Sequence, residues 1–197
     1  MIIRGDSTIL VYTDLYKKPK GRLVGQLTFE RYALDRRVVG TLEWTKPKQD
    51  KQPDPLYPNG FPTITTDFDA SFYFAPVKAP AAFDPTGASN FRVMQELDDS
   101  NGAATLTLTG DGITPLVPAI NLTIDTKNKA TPPLPASVKS FSLTPNSGLF
   151  KATLLTPLQP NGKPIIVNGI INQSQARGNG LFFNGATTGS AVFEAKP

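Results

Sequence analysis

The amino-acid sequence predicts an all-β chain of antiparallel strands, and three observations carry that reading. Side chains alternate with a period of two wherever the sequence is apolar, and a helical period is never sustained for three turns. Among the 197 residues are 19 Pro and 16 Gly, with abundant Thr, Asn and Leu, a vocabulary of strands and turns. Turn-forming pairs recur between the alternating runs. About ten to twelve short strands at this spacing fit an antiparallel barrel or sandwich. Glycines inside otherwise good strands, at Gly25, Gly40 and Gly169, mark bends, bulges or close backbone approach. They favour a meander closing into a β-barrel, with a β-sandwich as the alternative.

Arg22–Phe29 and Val38–Thr45 alternate Leu23, Gly25, Leu27, Phe29 and Val38, Gly40, Leu42, Trp44 against Arg22, Val24, Gln26, Thr28 and Val39, Thr41, Glu43, Thr45, and together they predict a hairpin. The regular run Ala103–Thr109 sets Ala104, Leu106 and Leu108 against Thr105, Thr107 and Thr109, a strand with one dry and one wet face. Asp98-Asp99-Ser100-Asn101-Gly102 precedes it, and the Asn-Gly pair supplies the positive φ angles of a tight turn. This acidic stretch lacks the spaced ladder and distal Glu of a dedicated calcium loop.

Phe61–Ile64 and Asp69–Ala75 are extended, and 120–124, 138–144, 149–156, 163–172, 181–184 and 190–194 are further strands. Lys127-Asn128, Pro145-Asn146, Asn161-Gly162, Gly178-Asn179 and Thr188-Gly189 read as turns. Irregular loops fall around 46–60 and 76–90, punctuated by prolines, and Thr131–Pro135 is a rigid extended connection. Neither loop has the composition of a linker, so residues 1–197 are expected to form one domain.

The chain contains no cysteine and no histidine. Disulfides, thiolate nucleophiles and the Ser-His-Asp and Cys-His mechanisms are thereby excluded, as is the commonest transition-metal ligand. No cofactor is expected. The formal charge of +4 arises within residues 1–50, where Lys17, Lys18, Lys20 and Arg22, then Arg31, Arg36 and Arg37, then Lys46 and Lys48, gather near turns, with Lys51 following. No aromatic interleaving or nucleic-acid motif accompanies them, so they read as solvated turn residues and no nucleic-acid partner is expected. The opening residues Met1–Asp6 show no export signal, and no stretch approaches bilayer length.

An ordered series of motifs runs through nearly the whole chain: Lys20–Phe29, Gly40–Pro47, Leu56–Phe61, Ser147–Lys151, Gly162–Ile170, and Gly180–Gly185 followed by Thr188–Val192. The series resembles a β-rich module at the C-terminal end of large secreted or cell-surface proteins of verrucomicrobial-type bacteria. That module has no known function and no assigned catalytic residue. The resemblance implies a surface-associated role, and it implies that this chain contains only the final portion of such a protein.

Three functional readings follow. The first is a non-enzymatic binding module for a small molecule, glycan or protein, with Trp44, Tyr57 and Tyr73 as ligand-binding residues near a barrel mouth, because aromatic walls with a few polar groups suit such ligands. The bland account of the same residues is that Trp44 and alternate members of Phe72–Phe74 pack in the core. The second is a structural or self-assembling module that uses exposed strand edges, consistent with a monomer or weak homo-oligomer. The third is a hydrolase built on Asp67 and Asp69, two apart on one strand face. The ordinary alternative for that pair is two solvent-facing carboxylates, so no enzyme is expected.

Overall fold

The computed structural model describes residues 2–3, 7–16, 19–30, 37–51, 56–76, 92–110, 119–131, 134–155, 163–183 and 188–196. Strand takes 63% of these and helix 6%, so the chain is all-β with antiparallel pairing throughout. The backbone forms two compact units, Met1–Phe72 and Tyr73–Pro197. The loop expected around 76–90 lies outside the described residues except for Pro76, as do Lys17, Lys18, Arg31, Arg36, residues 52–55 and the turn Asn161-Gly162.

The first unit is a five-stranded meander of β1 (Ile2–Ile3), β2 (Thr8–Leu15), β3 (Gly21–Glu30), β4 (Arg37–Lys46) and β5 (Phe61–Ser71). The hairpin expected from alternation is β3–β4, with Leu23 opposite Trp44 and Leu27 opposite Gly40. Because directly opposed residues share a face, Val11, Gly25, Leu42 and Thr66 stand in one row and Thr13, Leu23, Trp44 and Ile64 in the next. This face carries the buried Leu27 and Leu42. The opposite face bears Glu43, Thr65, Asp67 and Asp69, all exposed.

Two features of this sheet depart from the sequence reading. Strand β2 is not marked by alternation, since its polar face also holds Leu10 and Tyr12, both exposed. The extended segments expected at Phe61–Ile64 and Asp69–Ala75 are instead a single strand that ends at Ser71. The run of Thr65 and Thr66 before Asp67 hides its continuity, because polar residues fill both faces of a strand at the rim of a sheet.

The second unit is a seven-stranded sheet. Its members are β6 (Ala103–Gly110), β7 (Ile120–Thr123), β8 (Val138–Thr144), β9 (Leu149–Leu154), β10 (Ile165–Asn172), β11 (Arg177–Phe183) and β12 (Thr188–Ala195). They lie in the order β7-β6-β12-β11-β10-β9-β8. The meander of the last five strands is thus completed by a non-local pairing, in which the final strand inserts beside β6 with Phe193 opposite Leu106.

The sheet curls into a half-barrel. Strands β8 and β12 are four steps apart, which in a flat sheet separates them by roughly 19 Å at ~4.8 Å per step. Yet the ring of Phe141 on β8 lies 5.1 Å from that of Phe193 on β12, and Phe150 on β9 lies 5.7 Å from Phe193. Only strong curvature brings these rings together. Isolated bridges Ile124–Ala130 and Lys129–Ser142 tie the end of β7 to β8, so the two edges of the sheet are joined at one end.

Glycines permit the curl. On the concave face, Gly169 stands opposite both Phe150 and Gly180. A Cβ at Gly169 would overlap the Phe150 ring, and one at Gly178 or Gly180 would come within 2.8 or 3.0 Å of it. Gly178 and Gly189, read as turn residues, therefore lie inside β11 and β12 because aromatic rings lie over them, Phe150 on the first and Phe182 on the second. The chain reverses instead at the short 3-10 turn Gln173–Gln175, closed by Ala176 at φ 52°.

The interior of the half-barrel is packed. Phe150, Phe193, Leu106, Leu108, Leu154 and Val167 are each at most 2% exposed. Val93, Met94 and Leu97, in a stretch that alternation leaves unassigned, fill the same cluster. A buried polar network fixes that plug. Arg92 donates from Nε to the Ile124 carbonyl at 2.9 Å and from Nη1 to Asp98 Oδ1 at 2.7 Å. The Val93 N–H donates to Asn128 Oδ1 at 2.7 Å. Asp98, within the five-residue helix α1 (Gln95–Asp99), is thus an anchor for a buried guanidinium. Asn101 at φ 53° and Gly102 at φ 83° form the tight turn expected of them.

Gly169→Ala places a methyl group in the volume of the Phe150 ring, and overpacking of this kind costs about 1–3 kcal/mol. Chemical denaturation is expected to show that loss in the second unit, with part of it recovered when Gly169→Ala is combined with Phe150→Leu. Additive losses in the double variant would remove the ring contact as the cause.

Candidate functional site

An aromatic cluster gathers at one end of the first sheet, and a β-bulge builds it. Trp44 pairs with Ile64 but Lys46 pairs with Phe61, so the register slips by one residue across Pro62–Thr63. The slip turns Phe61 onto the face that carries Trp44, a re-aiming typical of bulges. Pro62 is tolerated because it sits at this irregularity in β5, the last strand of its sheet.

The turn Tyr57-Pro58-Asn59-Gly60 then folds Tyr57 back. Gly60 donates its N–H to the Tyr57 carbonyl at 3.0 Å and adopts φ 70° against the Lys46 carbonyl. The rings form an edge-to-face series. Trp44 and Phe61 lie 4.9 Å apart at 87°, and Phe61 and Tyr57 lie 5.2 Å apart at 79°, the arrangement that the ring quadrupole favours.

Beneath this series lies Lys46, which the sequence reading took for a solvated turn residue. It is 3% exposed. Its Nζ stands 4.9 Å from the Tyr16 ring and 5.7 Å from the Tyr57 ring, so the ammonium exchanges part of its hydration for two aromatic faces. Lys20 and Arg22, with Lys48 and Lys51, are exposed as expected, and Lys20 pairs with Asp14 at 2.6 Å. That contact holds the Asp14 carboxyl below its usual range and raises the Lys20 ammonium above its own.

Burial is uneven across the cluster. Tyr57 is 43% exposed and Ile64, beside Trp44 on the same face, 44%. The Trp44 indole Nε1 is buried and has no hydrogen-bond partner among the described residues. The surface is an open platform of rings over a buried cation at one end of the first sheet.

The third aromatic singled out from the sequence is Tyr73. This residue belongs to the second unit, where its hydroxyl donates to the Pro145 carbonyl at 2.6 Å and its ring covers Gly148, which adopts φ 67°. Partial burial raises its phenol pKa. The flanking Phe72 and Phe74 are exposed and Tyr73 alone of the three packs on the core.

Asp67 and Asp69 both stand on the exposed polar face of β5. The Asp69 carboxylate receives a 2.5 Å ion pair from Arg37 across the sheet. Among the described residues no group of three or more Asp, Glu, His or Cys is placed to hold a metal ion, and no helix is long and apolar enough to cross a membrane.

Sequence reasoning missed Tyr16, Phe61 and Lys46. The available signal was a proline one residue into an extended run, together with the Pro58-Asn59-Gly60 turn. No protein-family model, curated protein or solved structure matches this chain.

The Tyr73 environment fixes a pH dependence. Its folded-state pKa is raised, so above the unfolded value near 10 the unfolded chain releases a proton that the folded chain retains, and stability falls as pH rises through that range. Denaturation between pH 9 and pH 11 is expected to show this slope in the second unit and to lose much of it in Tyr73→Phe. An unchanged slope in the variant would assign it to another group.

Proposed function

We propose that this chain is a non-enzymatic binding module, and that the platform formed by Tyr57, Phe61, Trp44 and Ile64 receives a saccharide or another ligand with a flat, partly apolar face. One observation carries the reading. Tyr57 remains nearly half exposed although Phe61 and Lys46 hold its ring in place. An exposed aromatic side chain fixed by its neighbours offers contact area with little rotamer entropy left to lose. The adjoining Ile64 extends the apolar surface, and contiguous exposed apolar residues mark interaction sites.

Carboxylate chemistry finds less support. Asp14, Asp69 and Asp98 are each engaged by a Lys or Arg partner. Asp125 accepts the N–H groups of Lys127 and Lys129 and so closes its own turn. These groups act as structural acceptors. The resemblance to surface-protein modules is consistent with a binding role outside the cell, and that location is part of the same proposal.

The test is a glycan array followed by isothermal titration with the best saccharide found. Tyr57→Ala and Phe61→Ala are each expected to weaken binding at least tenfold, while Phe74→Ala, in the second unit, leaves it unchanged. An array with no bound saccharide, or affinity unaffected by Tyr57→Ala, would sink the proposal.

A further inference from the structure

Strand β5 closes one side of the first sheet, and among the described residues no strand pairs with its outer side. From Pro62 to Asp67 every residue is exposed, so both faces are open as well as the edge. An edge of this length carries unmatched N–H and C=O groups that another strand can satisfy. The geometry points to a second copy of this chain as that strand, paired β5 to β5 in antiparallel fashion about a two-fold axis through Thr66.

The order of residues selects the register. A two-fold axis normal to the sheet must pass through a residue, because opposed residues have to share a face. With the axis at Thr66, Ile64 of each copy meets Phe68 of the other on the apolar face. On the polar face Thr65 meets Asp67 and Thr63 meets Asp69. Every carboxylate then faces a hydroxyl, and Asp69 is already balanced by Arg37.

Neighbouring registers are worse. An axis at Asp67 sets Asp67 against itself, and one at Phe68 sets Asp67 against Asp69 twice. An axis at Thr65 leaves Ile64 opposite Thr66 and sets Phe68 against Pro62, at the bulge that ends the ladder. Like charges directly opposed destabilise a strand pair, so the two aspartates do not block this edge but choose its alignment. The Pro62 bulge stops the ladder at its end, which limits the contact to one copy rather than a slipping array.

Because the chain contains no cysteine, a single introduced thiol reads out the alignment. On the axis, like residues approach to ~4.5–5.5 Å between Cα atoms, within reach of a disulfide. Thr66→Cys is therefore expected to form a covalent dimer under mild oxidation. Thr65→Cys stands two residues out of register with its own copy, beyond disulfide reach, and is expected to stay largely monomeric.

Sedimentation of cysteine-free variants supplies the second arm. Thr65→Asp sets a carboxylate against Asp67 at two places and is expected to weaken self-association at least tenfold. Thr65→Lys sets an ammonium there and is expected to strengthen it, with far-UV circular dichroism unchanged in both. Equal crosslinking at residues 65 and 66, or the two charge variants shifting association in the same direction, would overturn the pairing. A protein that stays monomeric at millimolar concentration would do so outright.

Discussion

The ring of Phe150 lies over β10 and β11 because Gly169, Gly178 and Gly180 present no Cβ beneath it. Three missing methyl groups on two adjacent strands make a trough as wide as a phenyl ring, and the sheet bends around the ring that fills it. Curvature then carries Phe141 and Phe193, from strands four apart, into contact with Phe150 and with each other. The core of the second unit follows from that contact. One sheet wraps its own interior, and the short stretch Val93–Leu97 completes the packing.

The first unit solves the same problem with less. Its sheet has one face of apolar side chains, but among the described residues only Leu27 and Leu42 on it are buried. The remaining apolar groups are half-covered, and at the Trp44 end they pass into the exposed rings and Ile64. A bulge at Pro62–Thr63 adds Phe61 to this end, and a proline-led turn adds Tyr57. Lys46 then lies between two tyrosine rings, which lets a cation sit in a buried position without leaving polar or polarisable partners altogether. The aromatic platform and the irregular backbone are one feature.

Charged groups divide along the same line. Arg92 is buried, and its partners Asp98 and the Ile124 carbonyl hold the plug of the half-barrel in place. Truncating one member of such a pair leaves an unpaired charge where water is scarce, which makes the network a strong local constraint. The exposed pairs Lys20–Asp14 and Arg37–Asp69 are different. Solvent and salt screen them, so they add little to stability.

The sequence by itself determined which residues face inward along its alternating strands, such as β3, β4 and β6, and where the turns at 101–102, 127–128 and 145–146 fall. Alternation in 103–109 and in the 22–29 and 38–45 hairpin, and the positive φ angles at Asn101 and Gly102, depend on neighbours in the chain, so local pattern reads them. It also determined that imidazole and thiol chemistry are unavailable. The tertiary structure decided the rest: that the strands divide between two sheets, that β12 inserts beside β6, that Gly178 and Gly189 serve aromatic rings instead of turns, and that Lys46 is buried under Tyr57. A period of two specifies a side but not a partner. Partners are chosen by contacts between residues far apart in the chain, and those exist only once the sheets have formed.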